Sequence, residues 1–244
     1  MRRFHVAPHD IHEGIATLTG SEAHHLTHVL RLKPGTRITL FDGTGSTYEG
    51  NITRLVHDKV TVNIDRINSD HGDHPQLHLG QALITGKKFD LVVQKATELG
   101  IASLTPYLST YCAKGEPSAH KQERWERIAL ESCKQCCRTI PPKILPVMTI
   151  KECFKQATRQ DLKIIFWEET ASHNLKDVAV LINEVRPHSI FYMIGPEGGL
   201  TDTEVLTAQE HGFVSVTLGQ QILRAETAGI AAGAILQFLL GNMD

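Results

Sequence analysis

The segment FYMIGPEGGLTDTE, residues 191–204, combines an apolar run, a glycine-rich turn and a helix start. Five largely apolar residues lead into a Gly-Pro-Glu-Gly-Gly turn, and Thr201 and Glu204 have the spacing of a helix-capping box. This pattern predicts a strand, a turn and a helix, with glycines that let a ligand approach the main chain. The acid Glu197 disfavours a phosphate at this helix start, and the turn matches neither common phosphate-binding glycine motif.

The regions around this segment repeat the pattern and predict an α/β fold. Apolar strands are predicted at 77–84, 103–109, 161–169, 189–195 and 213–219, with helices at 87–100, 121–137, 174–185, 202–212 and 226–240. Such strands favour a mainly parallel sheet covered by helices on both faces. Because ligands of these sheets lie outside the carboxyl ends of the strands, we expect residues 167–170, 194–200 and 218–227 to share one rim.

The first part of the chain has a different pattern. Short alternating runs separated by turn residues predict a small β-barrel or sandwich, and the polar stretch 69–75 predicts a linker. We therefore expect one domain at 1–70 and a second at 75–244.

A helical insert, SEAHHLTHVLRLK, interrupts the first domain. Its apolar side chains are expected on one helix face: Leu26, Val29 and Leu30. His24 and His28 stand four residues apart, but the insert lacks the glutamate of a zinc-binding H-E-x-x-H motif and no third ligand is evident. We expect no metal here.

Composition favours a globular cytoplasmic protein. The chain has 244 residues, of which 41% are hydrophobic, and no apolar run is long enough to span a membrane. Its five cysteines fit reduced thiols. Cys133, Cys136 and Cys137 lack a second C-x-x-C pair, so buried or interface thiols are favoured over a metal site.

Charge is uneven along the chain. Residues 86–155 hold 12 Lys and Arg against 7 Asp and Glu. This excess fits a nucleic-acid footprint, but it fits a solvated helical face as well.

The segment VTLGQQILRAETAGIAAGAI, residues 216–235, places Ile222 and Leu223 where a loop is usually polar. Arg224 and Glu226 follow at a helix start. The small residues of this helix predict a tight helix crossing or a subunit interface.

These two segments resemble the bacterial small-subunit rRNA (uracil-N3)-methyltransferases of the SPOUT class. The resemblance extends to HHLTHVLRLKPG (24–35), QKATELG (94–100) and CKQCCR (133–138). It implies a PUA-like N-terminal β-barrel and a C-terminal SPOUT domain with a deep trefoil knot. It also implies a homodimer, S-adenosylmethionine as cofactor, 16S rRNA in the small ribosomal subunit as substrate, and no metal.

The resemblance also suggests roles for individual residues. Cofactor contacts are expected from Glu168, Ile194, Gly195, Gly199, Leu218, Gly219, Ile222, Leu223 and Thr227. Arg224 would stabilise the charge that develops when N3 of uracil loses its proton, and either Glu226 or Glu197 would take that proton.

RNA contacts are expected from Arg31, Lys87, Lys88 and Arg138. The family pattern has glycine where this chain has Cys137, which puts a special backbone conformation there in doubt. Two other functions stay open: a non-catalytic RNA-binding module, and a related SPOUT enzyme that acts on tRNA or another rRNA base.

Overall fold

A computed structural model describes residues 2–56, 58–69, 74–112, 119–169 and 171–243. The chain divides into two compact units. The first comprises Met1–Gly72 and Leu130–Pro141, and the second comprises Asp73–Ala129 and Pro142–Asp244. The segment Leu130–Pro141, which the sequence analysis placed in the second domain, thus groups with the first unit.

The first unit is built on a six-stranded sheet. Its strands are β1 (Arg3–His5), β2 (Ile11–His12), β3 (Ile15–Leu18), β4 (Arg37–Phe41), β5 (Ser46–Val56) and β6 (Lys59–Ser69). The order is β1-β4-β5-β6-β3-β2, and every pairing is antiparallel except β1 with β4. Alternate side chains such as Ile38 and Leu40 are buried in one core with Phe4 and Val62, as the alternating sequence predicted.

The helical insert is shorter than predicted. Helix α1 (Gly20–His24) passes into a π-helical turn at His25–Val29, closed by a 2.9 Å hydrogen bond from Leu30 N to His25 O. The extra residue in this turn changes which side chains face the core. Leu26 is buried, whereas Val29 is 62% and Leu30 42% exposed. The prediction that these three share one apolar face was wrong.

The second unit contains a parallel sheet. Its strands are β7 (Gln76–Ala82), β8 (Ser103–Leu108), β9 (Lys143–Ile144), β10 (Met148–Thr149), β11 (Leu162–Phe166), β12 (Ser189–Ile194) and β13 (Val214–Val216). The order is β10-β8-β7-β12-β11-β13, with β9 also on β8, and each pairing within the described residues is parallel. This confirms the predicted α/β class, while the trefoil knot stays a prediction.

Six helices of the described chain follow α1. They are α2 (Lys88–Glu98), α3 (Ala119–Cys136), α4 (Ile150–Gln156), α5 (Leu175–Val185), α6 (Asp202–Glu210) and α7 (Ala225–Leu239). All but α4 were predicted. The sequence analysis missed α4, β9 and β10 because two strand residues or two helical turns are too short to establish a period. No helix in the described ranges is long and apolar enough to cross a membrane.

Helix α7 packs against α2 and against β7 and β12. A Cβ on Gly233 would stand 2.7 Å from Tyr192 Oη, and one on Gly229 would stand 2.8 Å from Gln81 Oε1. Tyr192 Oη donates a 3.1 Å hydrogen bond to Gly229 O. These two glycines therefore make room for polar side chains of the sheet, which accounts for part of the small-residue pattern.

Candidate functional site

A cavity of about 250 Å³ opens at the carboxyl ends of three neighbouring strands, β12, β11 and β13. Its walls come from residues 166–168, 194–197 and 217–225, together with Ala228. The three segments expected to share one rim thus meet there, although Thr170 lies outside the described residues. The volume is near the lower end of the range for small-molecule sites, ~300–1,000 Å³.

Most residues expected at the site line this cavity. They are Glu168, Ile194, Gly195, Glu197, Leu218, Gly219, Ile222, Leu223 and Arg224. The lining leaves out Gly199, Glu226 and Thr227. Gly199 lies behind Glu168, whose Oε1 is 2.7 Å from where a Cβ on Gly199 would stand. The absence of a side chain at Gly199 therefore leaves room for the Glu168 carboxylate.

The loop between β13 and α7 supplies most of the cavity wall. It turns at Gly219, whose φ of +118° favours glycine. Thr217 Oγ1 holds the turn, since it accepts from Gly219 N at 3.3 Å and donates to Gly219 O at 3.1 Å. In this loop, the main-chain N–H groups that form no hydrogen bond to another described residue belong to Leu218, Gln220, Gln221, Ile222, Leu223 and Arg224. This loop can therefore hydrogen-bond a bound ligand through its main chain.

Glu197 is held by the loop that follows β7. Its Oε1 accepts from Thr85 N at 3.0 Å, Thr85 Oγ1 at 2.8 Å and Lys88 Nζ at 3.0 Å. Burial acts to raise the pKa of the Glu197 carboxyl, but these hydrogen bonds outweigh it and lower the pKa from 4.5 to about 2. Glu197 is thus an ionised carboxylate with a low proton affinity, which argues against its expected role as a base.

Arg224 and Glu226 have different environments, although only one residue separates them in the sequence. Arg224 is the N-cap residue of α7, is exposed, and lines the cavity. Glu226 is 8% exposed, and its Oε2 has no hydrogen-bond partner among the described residues. The two form no ion pair in the described chain. Arg224 can therefore contact a ligand, whereas Glu226 lies behind the wall.

The four candidate RNA contacts differ in exposure. Arg31 and Lys87 are exposed, whereas Lys88 is half-buried and bound to Glu197. Arg138 is also half-buried, and burial lowers the pKa of its guanidinium. Arg31 and Lys87 are therefore the most accessible cations of the set.

Cys137 stands where the family pattern has glycine, and it adopts a backbone conformation that favours glycine. Its φ is +66°, in the left-handed region, directly after α3. Arg3 Nη1 donates to Cys137 O, and Arg3 Nη2 donates to Arg138 O at 2.9 Å. Arg3 thus satisfies the carbonyls of the two residues that directly follow α3.

No group of three or more potential metal ligands occurs among the described residues. The His24 and His28 rings stack with centroids 4.5 Å apart, so these side chains pack on each other. The five cysteines all lie in described ranges and form no disulfide.

Several lining residues were absent from the sequence-based site. They are Phe166, Trp167, Pro196, Thr217, Gln220, Gln221, Ala225 and Ala228. Trp167 fell within an expected rim segment but was given no role. Ala228 lies one helical turn after Arg224, so helical spacing could have identified it.

Comparison with known proteins connects this geometry to a family. A family model described as an RNA methyltransferase domain matches residues 72–237, and one described as an RNA methyltransferase PUA domain matches residues 18–65. Ribosomal RNA small subunit methyltransferase E of Synechocystis is 34% identical over 98% of this chain and 78% of its own.

Two solved structures are similar over nearly the whole chain. Ribosomal RNA small subunit methyltransferase E of Neisseria gonorrhoeae, bound to S-adenosyl methionine, is 32% identical with a TM-score of 0.85 and 98% coverage of both chains. A methyltransferase of Legionella pneumophila in complex with the cofactor SAM is 29% identical with a TM-score of 0.87, covering 97% of this chain and 96% of its own.

Proposed function

We propose that this protein, which belongs to the ribosomal RNA small subunit methyltransferase E family, transfers a methyl group from S-adenosylmethionine to N3 of a specific uridine in 16S rRNA. The observation that carries the proposal is the cavity at the ends of β12, β11 and β13, with Arg224 at its wall. Its residues suit both the cofactor and the charge that the reaction creates.

The cavity fits a cationic nucleoside. Leu218, Ile222 and Leu223 offer an apolar slot for adenine, and the loop's N–H groups can bind polar atoms at the ring edge. Glu168 brings a carboxylate to the same wall, which suits a sulfonium ion, while the charge of Glu197 is paired with Lys88. S-adenosylmethionine, when bound, supplies a methyl group whose bond to sulfur breaks with the electron pair left on sulfur, while N3 forms the new bond.

Arg224 is suited to activate the uracil. Loss of the N3 proton places negative charge on the ring and its two carbonyl oxygens. A permanently charged guanidinium can hydrogen-bond those oxygens and stabilise the charge. Neither Glu197, whose pKa is low, nor Glu226, which lies outside the lining, is suited to take the N3 proton.

The test is the variant Arg224→Ala, with Arg159→Ala at an exposed position outside the cavity as its control. Methyl transfer to small ribosomal subunits should fall about 10²–10³-fold in Arg224→Ala, the usual loss when such a stabilising donor is removed. Calorimetry should give near-normal cofactor affinity for both variants.

Nucleoside mass spectrometry should detect 3-methyluridine in 16S rRNA from cells with the gene and none from cells that lack it. Near-normal transfer by Arg224→Ala would remove its role. Absence of calorimetric heat with the wild type would favour a non-catalytic RNA-binding module, and a modified tRNA would favour the related tRNA enzyme.

The partners we propose are 16S rRNA within the small ribosomal subunit and a second copy of this chain, in the cytoplasm. Within the first unit, the exposed Arg31 supports RNA contact, and within the second unit Lys87 does. Phe238 on α7 is 66% exposed, which supports burial of that helix in a homodimer. Sedimentation analysis of the wild type and Phe238→Glu tests the dimer: a dimeric variant would exclude α7 from the interface.

A further inference from the structure

The second unit contains another cavity, of about 380 Å³, beside the start of α2. It is lined by the loop that joins β7 to α2, by the first turn of α2 and by α3: Leu83, Ile84, Thr85, Gly86, Lys87, Phe89, Asp90, Lys121, Arg124 and Trp125. Three of these ten residues are cationic and one is anionic. Lys87 is already proposed as an RNA contact, whereas the cavity around it and the other nine lining residues have been given no role in RNA binding.

The charges in the cavity are not balanced. Arg124 donates to Asp90 Oδ2 from Nη2 at 2.6 Å and from Nε at 3.1 Å, so these two charges neutralise each other. Lys87 and Lys121 are both exposed, and neither forms an ion pair with another residue in the described chain. The cavity thus keeps two positive charges that face solvent.

The main chain adds hydrogen-bond donors at the same place. Gly86 has a φ of +66°, which turns the loop directly before α2. The first N–H groups of an α-helix have no partner within the helix and attract anions. Helix α2 has 11 residues, so its N-terminus carries the dipole of a full helix beside the two lysines.

The lining favours a phosphate over a nucleobase. Phe89 is 2% and Trp125 4% exposed, so the aromatic rings of the floor offer almost no surface on which a base could stack. The accessible groups are the ammonium groups and main-chain donors, which suit an oxyanion.

This cavity is one contact away from the proposed cofactor cavity. Thr85 lines it, and its N–H and Oγ1 both donate to Glu197, which lines the cofactor cavity. Both openings belong to the loops at the carboxyl ends of adjacent strands, β7 and β12. An RNA strand whose target base entered the first cavity would therefore pass close to the second.

We propose that the cavity formed by Thr85, Lys87, Lys121 and the start of α2 binds a backbone phosphate of the substrate RNA near the target uridine. The proposal rests on the proposed function and deepens it, since it gives the RNA a fixed register beside the cofactor. The lysines and helix N-terminus hold the phosphate, and the Thr85–Glu197 contact fixes the distance between the two cavities.

The test compares the double variant Lys87→Ala/Lys121→Ala with Lys151→Ala/Lys155→Ala, which removes the same charge from exposed positions of α4. Fluorescence anisotropy measures binding of a labelled single-stranded oligouridylate over a range of salt concentrations. The first variant should bind about tenfold more weakly at low salt, and the slope of log K against log salt should lose about 0.7, the value for one phosphate contact on a single strand.

The same variant should show a raised KM for small ribosomal subunits with little change in kcat, and unchanged heat with S-adenosylmethionine. The control should match the wild type in every measurement. Lys87→Arg/Lys121→Arg keeps both charges and should retain most of the binding. This variant tests the proposal even if the alanine variant is poorly folded.

Equal affinity and equal salt slope in the two double variants would overturn the proposal. An equal loss of binding for a polyglutamate peptide would assign the cavity to acidic peptides instead of RNA, and competition by inorganic phosphate without any effect on RNA would assign it to free phosphate. Failure of the proposed function would appear separately, as absent methyl transfer by the wild type, because the binding assay does not use that reaction.

Discussion

Replacing Glu197 by glutamine separates a structural role of this side chain from a catalytic one. Glutamine keeps an oxygen that can accept from Thr85 but loses the charge that faces Lys88. The pKa difference between 4.5 and about 2 corresponds to about 3 kcal/mol at ~1.4 kcal/mol per unit. The Glu197 side chain is 32% exposed, so solvent screening reduces this to about 1–2 kcal/mol.

Urea denaturation should therefore give Glu197→Gln a free energy of unfolding about 1–2 kcal/mol below the wild type at pH 7. A carboxyl whose pKa is lowered by folding stabilises above its unfolded pKa of 4.5 and loses that contribution as the pH falls toward 2. The difference between the two proteins should thus shrink between pH 4.5 and pH 2.

Methyl transfer should respond differently. Because a carboxylate of low pKa is a poor base, kcat of Glu197→Gln should stay within about tenfold of the wild type, against a loss of ~10²–10⁴ for a lost general base. A larger fall in kcat without loss of stability would refute the reasoning and restore Glu197 as the base. A stability difference that stayed constant down to pH 2 would refute the pKa argument.

Three other substitutions test the packing of the fold. Cys137→Gly should raise the free energy of unfolding by about 1 kcal/mol and Tm by about 2–4 °C, because glycine adopts the left-handed conformation without steric cost. Gly233→Ala should lower the free energy of unfolding by ~1–3 kcal/mol, measured by thermal unfolding, since the new methyl would overlap Tyr192 Oη. Glu204→Ala should cost about 2–3 kcal/mol in urea unfolding, because the buried carboxylate accepts from Thr110 N at 2.8 Å and Oγ1 at 3.0 Å as well as capping α6.

Two of these substitutions have a matched control. Cys136→Gly should not raise the free energy of unfolding, because Cys136 is the last residue of α3 and lacks the left-handed backbone that favours glycine at position 137. Glu210→Ala, at an exposed position of the same helix as Glu204, should change stability by less than ~0.5 kcal/mol. An unchanged Tm in Cys137→Gly would mean that the left-handed residue carries no strain.

Much of the fold and part of the candidate site could be predicted from the sequence because their signals are local. The capping box of α6 depends on two residues three apart, and it forms as predicted, with Glu204 N donating to Thr201 Oγ1 at 3.2 Å. Strand and helix periods gave the α/β class, and the rule for parallel sheets placed three loops on one rim. Seven of the nine expected cofactor contacts line one cavity for that reason.

Contacts between distant residues were decided by the tertiary structure alone. Glu197 and Thr85 are 112 residues apart, and their contact, together with Lys88, lowers the pKa of the Glu197 carboxyl from 4.5 to about 2. The sequence pattern places Glu226 at a helix start, like Arg224, but the packing of α7 buries Glu226. A side chain's charge, burial and partners depend on what the folded chain brings against it, whereas its helix or strand state depends mostly on its neighbours in sequence.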